Sequence, residues 1–376
     1  MSLPFVHLTG DPYNQGRDHG RLLKVRIDHN LRVYFDRFAR EVKLSRDAVH
    51  GITARYANAI LGQNKAYHDA MRGIADAANL DFLDIVALNV RYEILYYQFG
   101  KLALAEAQAT GQVLEAHPDG CTAFAALPEI TQSKHLLMGQ NWDWIPEVQG
   151  AIVRTTDSDG WETLGYTESG IVGTKIGMNR AGLGLAINGL TATDDDWSRL
   201  AKPFHVRCYE ILRQATLDDA LTVISGEARS CSTNFLLAQA PDRVVDVEAG
   251  PDALGTLSCK EGCLTHANHF VDPSAIGITE APNERREYSR RREARLRELL
   301  LAQTPLTVTK IQDALKDTQD DPFGICRHRD MTMPPEEHYT TVTAIVMDLN
   351  TRTLFYTDGP PDTAPFESVA LSAMAS

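Results

Sequence analysis

Apolar positions change their spacing once along this chain, near residue 120. From Gln15 onward, Leu22, Leu23, Val25, Ile27, Leu31, Val33, Tyr34, Phe35 and Phe38 keep helical spacing, with Arg, Lys and Asp between them. Ser45-Arg46-Asp47 is a capping sequence and predicts a second helix running toward Leu61. A third is predicted from about Ala66 to Ala78, and another from Asp81 through Tyr92, Leu95 and Tyr96. An Ala- and Glu-rich stretch over 100–118 then breaks at His117-Pro118-Asp119-Gly120.

Beyond Cys121 the pattern becomes short alternating or continuous apolar runs, over 121–130, 135–143, 151–157, 163–168, 172–178 and 183–188. Turn sequences such as Asp157-Ser158-Asp159-Gly160 and Asn179-Arg180-Ala181-Gly182 separate them, so strands and hairpins are predicted. Helices follow near 204–215 and 217–225, and strands over 234–239, 244–248 and 262–267. A strongly charged helix over 283–303, another over 307–318 and a strand pair over 341–349 and 353–358 close the chain. Strands, then helices, then strands predict an α+β layered domain with antiparallel sheets. The break divides a helical N-terminal segment, 1–120, from a catalytic segment, 121–376.

A chain of 376 residues with 43% apolar and 23% charged residues is ordinary globular protein, one large domain or two closely packed ones. Its formal net charge of −13 argues against a nucleic-acid partner and against anionic membrane surfaces. Six cysteines without a CxxC pair are no disulfide framework and point to a reducing compartment. The opening residues show no basic stretch followed by an apolar run, and no run is long enough to span a bilayer. A cytoplasmic location is the expectation.

Gly120-Cys121 is the first candidate for chemistry. Glycine lets its peptide be approached closely or strained. Attack of the Cys121 thiol on the Gly120 carbonyl would give a thioester, and water would then release Cys121 as a new N-terminus. Its α-amino group, with a reference pKa of about 7.7–8.0, is suited to act as a general base beside its own thiol. The plainer reading is a buried, inert cysteine.

Asn141 and Asp143 lie in Gly139-Gln140-Asn141-Trp142-Asp143-Trp144, where polar groups among aromatics need partners. Asp143 either orients the Cys121 amine or closes a strand as a turn former. Asn268, in Thr265-His266-Ala267-Asn268-His269, can donate its amide to an oxyanion. A metal reading of His266 and His269 is weak, since no third ligand has suitable spacing and on a strand they face opposite sides. Arg327, in Pro322-Phe323-Gly324-Ile325-Cys326-Arg327, is either a fixed positive charge in a site or a surface arginine. Seven arginines between Arg285 and Arg297 tempt a nucleic-acid reading, but interleaved glutamates make a solvated face the expectation. Trp142, Trp144, Tyr96 and Tyr97 either line a pocket or pack in the core.

These pieces occur together and in order in one family. The chain resembles the acyl-coenzyme A:6-aminopenicillanic acid acyltransferase (isopenicillin N acyltransferase-like) family of self-processing N-terminal-nucleophile hydrolases. Asp119-Gly120-Cys121-Thr122 is similar to that family's cleavage site, and Gly139–Asp143 to its second signature. Glu168–Gly173, Gly177-Met178-Asn179, Ala181-Gly182, Asn188, His266–His269, Pro322–Arg327 and the segment from Asp11 to Gly20 match further stretches. The resemblance implies a four-layer αββα sandwich with the cleaved N-terminal segment retained as a heterodimer partner. It implies Cys121 as nucleophile, Asp143 and Arg327 in the active-site shell, and Asn268 in the oxyanion hole, with Asn188 a second candidate there. The chain departs from penicillin-processing members at Ala123, where they carry a hydroxyl residue.

No cofactor or metal is implied; acyl-coenzyme A would enter only as an acyl donor. The expected partner is a small-molecule amide or acyl thioester, and a higher oligomer is left open. The leading expectation is hydrolysis of a linear amide, or transfer of its acyl group, through an S-acyl intermediate on Cys121. The competing one is an uncleaved, non-catalytic small-molecule binding protein that keeps the fold.

Overall fold

The computed structural model describes residues 3–110, 120–283, 285–334 and 338–371. Asp119, Glu284 and the break at His117-Pro118 lie outside the described residues.

The first residues form a strand, β1 (Phe5–Gly10), which the sequence reading missed. Val6 and Leu8 are buried while Phe5, His7 and Thr9 are exposed, a strand alternation too short to stand out. Six helices follow: α1 (Pro12–Leu22), α2 (Lys24–Arg40), α3 (Arg46–Gln63), α4 (Lys65–Ala78), α5 (Phe82–Asn89) and α6 (Arg91–Thr110). Ser45 caps α3 through its side chain, as the sequence suggests, and Asp11 caps α1 in the same way. The single helix expected over Gln15–Phe38 is two, because Leu23 leaves helical geometry at φ −110°. Val90 does the same at φ −116° and separates α5 from α6.

From β2 (Thr122–Ala126) the chain builds β3 (Leu137–Trp144), β4 (Gly150–Asp157), β5 (Glu162–Glu168), β6 (Ile176–Asn179) and β7 (Leu183–Gly189). Helices α7 (Phe204–Ile211) and α8 (Leu217–Ser225) precede β8 (Thr233–Gln239), β9 (Arg243–Ala249), β10 (Leu254–Leu257) and β11 (Cys263–His266). Then come α9 (Arg286–Ala302), α10 (Val308–Leu315), β12 (Thr340–Asp348), β13 (Thr353–Tyr356) and β14 (Glu367–Ala370). The four-residue strands β10 and β14 have too few buried positions to show a pattern in the sequence.

Two sheets result. One has the order β1-β4-β5-β6-β7-β8-β9-β10, the other β11-β2-β3-β12-β13-β14. All pairings are antiparallel except β1 with β4, which runs parallel. Segment 1–120 is therefore not only helical: it supplies the edge strand of the larger sheet.

The layers follow from alternation along the smaller sheet. Phe124, Ala126, Leu137, Ala344 and Val346 pack with Leu296, Leu300, Ile311 and Leu315 of α9 and α10. Their neighbours Ala123, Ala125, Met138, Ile345 and Met347 belong to the main core on the other side. There the larger sheet closes down, and a Cβ on Gly184 of β7 would meet Met138 Sδ at 2.4 Å. Helices stand on the larger sheet's other side: Gly189 at the end of β7 lies against Tyr96 of α6, and Gly170 and Gly173 of the β5–β6 loop lie against Leu88 of α5 and Tyr209 of α7. This is the expected four-layer αββα arrangement. Among the described residues no helix is long and apolar enough to cross a membrane.

Candidate active site

Cys121 immediately precedes β2, and Thr122 pairs with Asn141 of β3. The register carries on to set Cys121 beside Trp142 and Gly120 beside Asp143. Alternation then sends the Gly120–Asp143 pair toward the α9–α10 side and the Cys121 side chain toward the inter-sheet side.

On the first side, polar groups crowd Gly120. Its N–H donates to Asn268 Oδ1 at 3.0 Å. The same oxygen accepts from Arg292 Nη2 at 3.0 Å, and Arg292 Nε reaches Thr122 Oγ1 at 3.2 Å. Thr341 Oγ1 donates to Asp143 Oδ1 at 2.6 Å and accepts from the Arg327 N–H at 2.9 Å. Asp143 Oδ2 is buried without a hydrogen-bond partner among the described residues. Burial pushes the Asp143 carboxyl up to about 7, against the pull of Thr341, Arg327 and Arg292. Burial lowers Arg327 to about 10, opposed by Asp143.

On the second side, Cys121 Sγ faces the Asp143 carbonyl oxygen at 3.7 Å and opens on a cavity. Arg91, Tyr96, Trp142, Trp144, Lys175 and Phe204 also line it. It offers about 20 Å³ of water-occupiable space, enough for roughly one water molecule. Its aromatic wall is stacked: Trp142 on Trp144 with centroids 6.2 Å apart, Trp144 on Tyr96 at 6.3 Å, and Tyr96 on Tyr92 at 4.0 Å. Tyr97, the fourth expected aromatic, instead stands edge-on to Trp197.

A buried ion cluster completes that wall. Glu168 of β5 accepts from both Arg91 and Lys175 and from the Tyr34 hydroxyl. Against the burial that would raise it, Arg91 and Lys175 hold the Glu168 carboxyl well below the carboxylate range. Lys175 Nζ lies 3.4 Å from the Trp142 ring centroid. Burial, reinforced by Arg91 and opposed by Glu168, lowers its amine to about 7. The Cys121 thiol is pushed the other way, up to about 12, chiefly by burial and then by Asp143.

The structure thus brings together Gly120, Cys121, Asp143, Asn268 and Arg327. Asn268 stands in an unexpected orientation: its Nδ2 donates to the Gly189 carbonyl at 3.1 Å, and its oxygen faces Gly120. Asn188 is grouped elsewhere. Its Oδ1 accepts from Asn234 Nδ2 at 3.3 Å, and Asn234 reaches Asp246 at 2.7 Å. Asn188 Nδ2 is a buried donor without a partner among the described residues. Asn141, from the same signature as Asp143, spans to the Leu315 and Ile325 carbonyls at 2.9 and 2.8 Å. It ties β3 to α10 and to the turn that carries Arg327.

Two expectations need correction. His266 and His269 do not face opposite ways: their rings stack 6.1 Å apart at 11°, because β11 ends at His266 and the chain turns. Each has its own carboxylate, Glu248 for His266 and Glu293 for His269, both at 3.0 Å. The Arg-rich helix is not wholly a solvated face. Arg290 and Arg291 are exposed, but Arg292 is 2% exposed and touches the site. The signal was present in its phase, since Ser289, Arg292, Leu296 and Leu300 form the buried stripe of α9. Arg91, Glu168 and Lys175 carried no comparable local signal, because their partners are 77 and 7 residues apart in sequence and meet only in the fold.

A model of the family described as acyl-coenzyme A:6-aminopenicillanic acid acyl-transferase matches residues 130–362, a span holding Asp143, Asn188, Asn268 and Arg327. The chain is 25% identical over 346 residues to the acyl-coenzyme A:6-aminopenicillanic-acid-acyltransferase 40 kDa form of Emericella nidulans, covering 86% of this chain and 84% of that one. It is 24% identical over 311 residues to an uncharacterized protein of Archaeoglobus fulgidus, covering 71% of this chain and spanning half that protein's length. A solved N-acylethanolamine-hydrolyzing acid amidase ortholog of Caenorhabditis elegans is similar with a TM-score of 0.45 at 12% identity, over 67% of this chain and 100% of that one.

Proposed function

The chain belongs to the acyl-coenzyme A:6-aminopenicillanic acid acyl-transferase family, and from that premise we propose that it cuts itself between Gly120 and Cys121 and then processes acyl amides. The observation that carries this is the setting of one peptide bond. Gly120-Cys121 is buried, flanked on one face by Asp143, Asn268, Arg292 and Arg327 and on the other by the cavity that receives the thiol.

Self-cleavage needs a base, because a thiol held near 12 is protonated at neutral pH. Lys175 lines the same cavity, and burial lowers its amine from the ordinary lysine value, which favours the neutral form that accepts a proton. The thiol proton passes to Lys175 Nζ, directly or through one water. Sulfur adds to the Gly120 carbonyl carbon, the Gly120–Cys121 C–N bond breaks, and the leaving nitrogen takes up a proton. Water then cleaves the thioester to the Gly120 carboxylate and free Cys121.

The released α-amino group serves as the base in turnover. Cys121 attacks the substrate's amide carbonyl, the amine leaves with a proton, and an S-acyl enzyme remains. Asp143 and Arg327 hold the new N-terminus. Asn268 Nδ2 carries two hydrogens; one is held by the Gly189 carbonyl, and the other is the donor offered to the oxyanion. Water is the preferred acceptor of the acyl group, which makes the reaction hydrolysis of a linear amide; an amine acceptor would make it transfer, with acyl-coenzyme A as an alternative donor.

The test is a panel of N-acyl amides and acyl thioesters, read by released amine or thiol and by intact mass after acid quench. The expected result is turnover with an acyl adduct on the fragment that begins at Cys121. Binding without turnover or adduct would instead favour a non-catalytic binding protein.

A further inference from the structure

Cys326 and His328 flank Arg327, and both turn toward the loop that carries Asp362. Arg327 itself is pinned by its backbone: its N–H donates to Thr341 Oγ1 at 2.9 Å and its carbonyl accepts from the Thr341 N–H at 2.9 Å. The residues on either side of Arg327 both reach one carboxylate, that of Asp362. Asp362 Oδ1 lies 3.2 Å from Cys326 Sγ and 3.3 Å from His328 Nε2. The three donor atoms fall within 4.8 Å of one another. His328 Nδ1 meets Asp321 Oδ1 at 2.6 Å, which fixes the ring with Nε2 toward the cluster.

We propose that Cys326 Sγ, His328 Nε2 and one Asp362 carboxylate oxygen form a binding site for a single Zn²⁺-class divalent ion. One thiolate, one imidazole and one carboxylate suit a borderline-soft cation. Tetrahedral zinc with Zn–S of about 2.3 Å and Zn–N or Zn–O of about 2.0–2.1 Å has ligand-to-ligand edges of roughly 3.3–3.6 Å, so the two measured edges need open by only a few tenths of an ångström. Asp321 supplies the outer carboxylate that a ligating histidine characteristically has. Cys326 is buried, His328 half-buried and Asp362 exposed, so an ion enters from solvent and the fourth position remains for water. Binding releases the Cys326 thiol proton, and the imidazolium proton where present, with no change of oxidation state.

The site sits one residue either side of Arg327. An ion there ties the Cys326–His328 turn to the loop at Asp362. It thereby holds Arg327 and, through Thr341, Asp143. Without an ion the same atoms close as hydrogen bonds, the thiol donating to Asp362.

The full-length Cys121→Ala chain, stripped with a chelator and kept under a non-thiol reductant, is titrated with Co²⁺ and then with Zn²⁺ against a chromophoric competitor. One Co²⁺ per chain with a thiolate-to-metal charge-transfer band is expected, displaced by Zn²⁺. Cys326→Ser should lose the band, His328→Ala should weaken Zn²⁺ at least tenfold, and Asp321→Asn should weaken it about 10–100-fold. Absence of a thiolate band, a band that survives Cys326→Ser, or equal Zn²⁺ affinity in the His328→Ala chain overturns the assignment. None of these readings depends on amide chemistry.

Discussion

Gly120 and Asp143 face each other so closely that residue 120 has room only for hydrogen: a Cβ there would lie 2.4 Å from Asp143 Cβ and 2.8 Å from its Oδ2. The requirement for glycine is proximity rather than a left-handed backbone, since Gly120 is not among the residues with positive φ. Gly120→Ala must push Asp143 or the scissile peptide aside. Self-cleavage in that variant is expected to slow at least tenfold, with the circular dichroism spectrum unchanged. A time course of intact mass after expression measures it, and a wild-type rate would contradict the crowding.

Lys175 shares a cavity with the Cys121 thiol, and Glu168 keeps Arg91 when Lys175 is removed. Lys175→Met should therefore fold and slow self-cleavage by about 10²–10⁴-fold, the range of general-base catalysis. Unchanged processing would take Lys175 out of the first proton transfer.

Arg292 and Arg290 stand two residues apart on α9 with opposite fates. Arg292→Met removes charge-assisted hydrogen bonds to Asn268 and Thr122, each worth about 1.5–3 kcal/mol. With only the Asn268 bond acting on turnover, a loss of about 10–150-fold in the rate of amide turnover is expected. Arg290→Met, on the exposed side, should stay within about twofold. Initial rates on one amide substrate compare the two, and equal rates would remove Arg292 from the site.

The Asp143 carboxyl is held near 7 by burial, above its ordinary value of 3.8. A raised carboxyl binds its proton more tightly in the folded chain. Its contribution to stability is complete below pH 3.8 and lost as pH rises through 7. In the uncut Cys121→Ala chain, adding Asp143→Asn should remove part of the fall in stability between pH 4 and pH 8. Denaturant titrations of both chains across that range give the difference. Parallel pH curves would show that Asp143 is not held protonated.

Legibility in the sequence followed the range of the interactions. Cap and period decide α3 and α4 locally, and both were readable from Ser45 and from the apolar spacing. Leu23 and Val90 break helices whose apolar pattern runs through them; both are buried apolar residues, so local spacing does not mark the break. Cys121, Asp143, Asn268 and Arg327 were legible as polar or reactive residues at strand ends and in matched stretches. The orientation of Asn268 was not, since it depends on Gly189 and Arg292. Arg292 was obscured by its arginine-rich neighbours, although its helical phase with Leu296 marked it as inward. The Arg91–Glu168–Lys175 cluster joins α6, β5 and the loop before β6, and only the assembled layers reveal it.

The central claim is that the Gly120–Cys121 bond is cut by Cys121 itself. Intact mass under denaturing conditions, on freshly purified wild-type protein beside the Cys121→Ala chain, tests it most directly. The account predicts two wild-type fragments that meet between Gly120 and Cys121, and a single uncut chain for Cys121→Ala. A wild-type chain that stays whole, or a Cys121→Ala chain that is cut at the same bond, would contradict it.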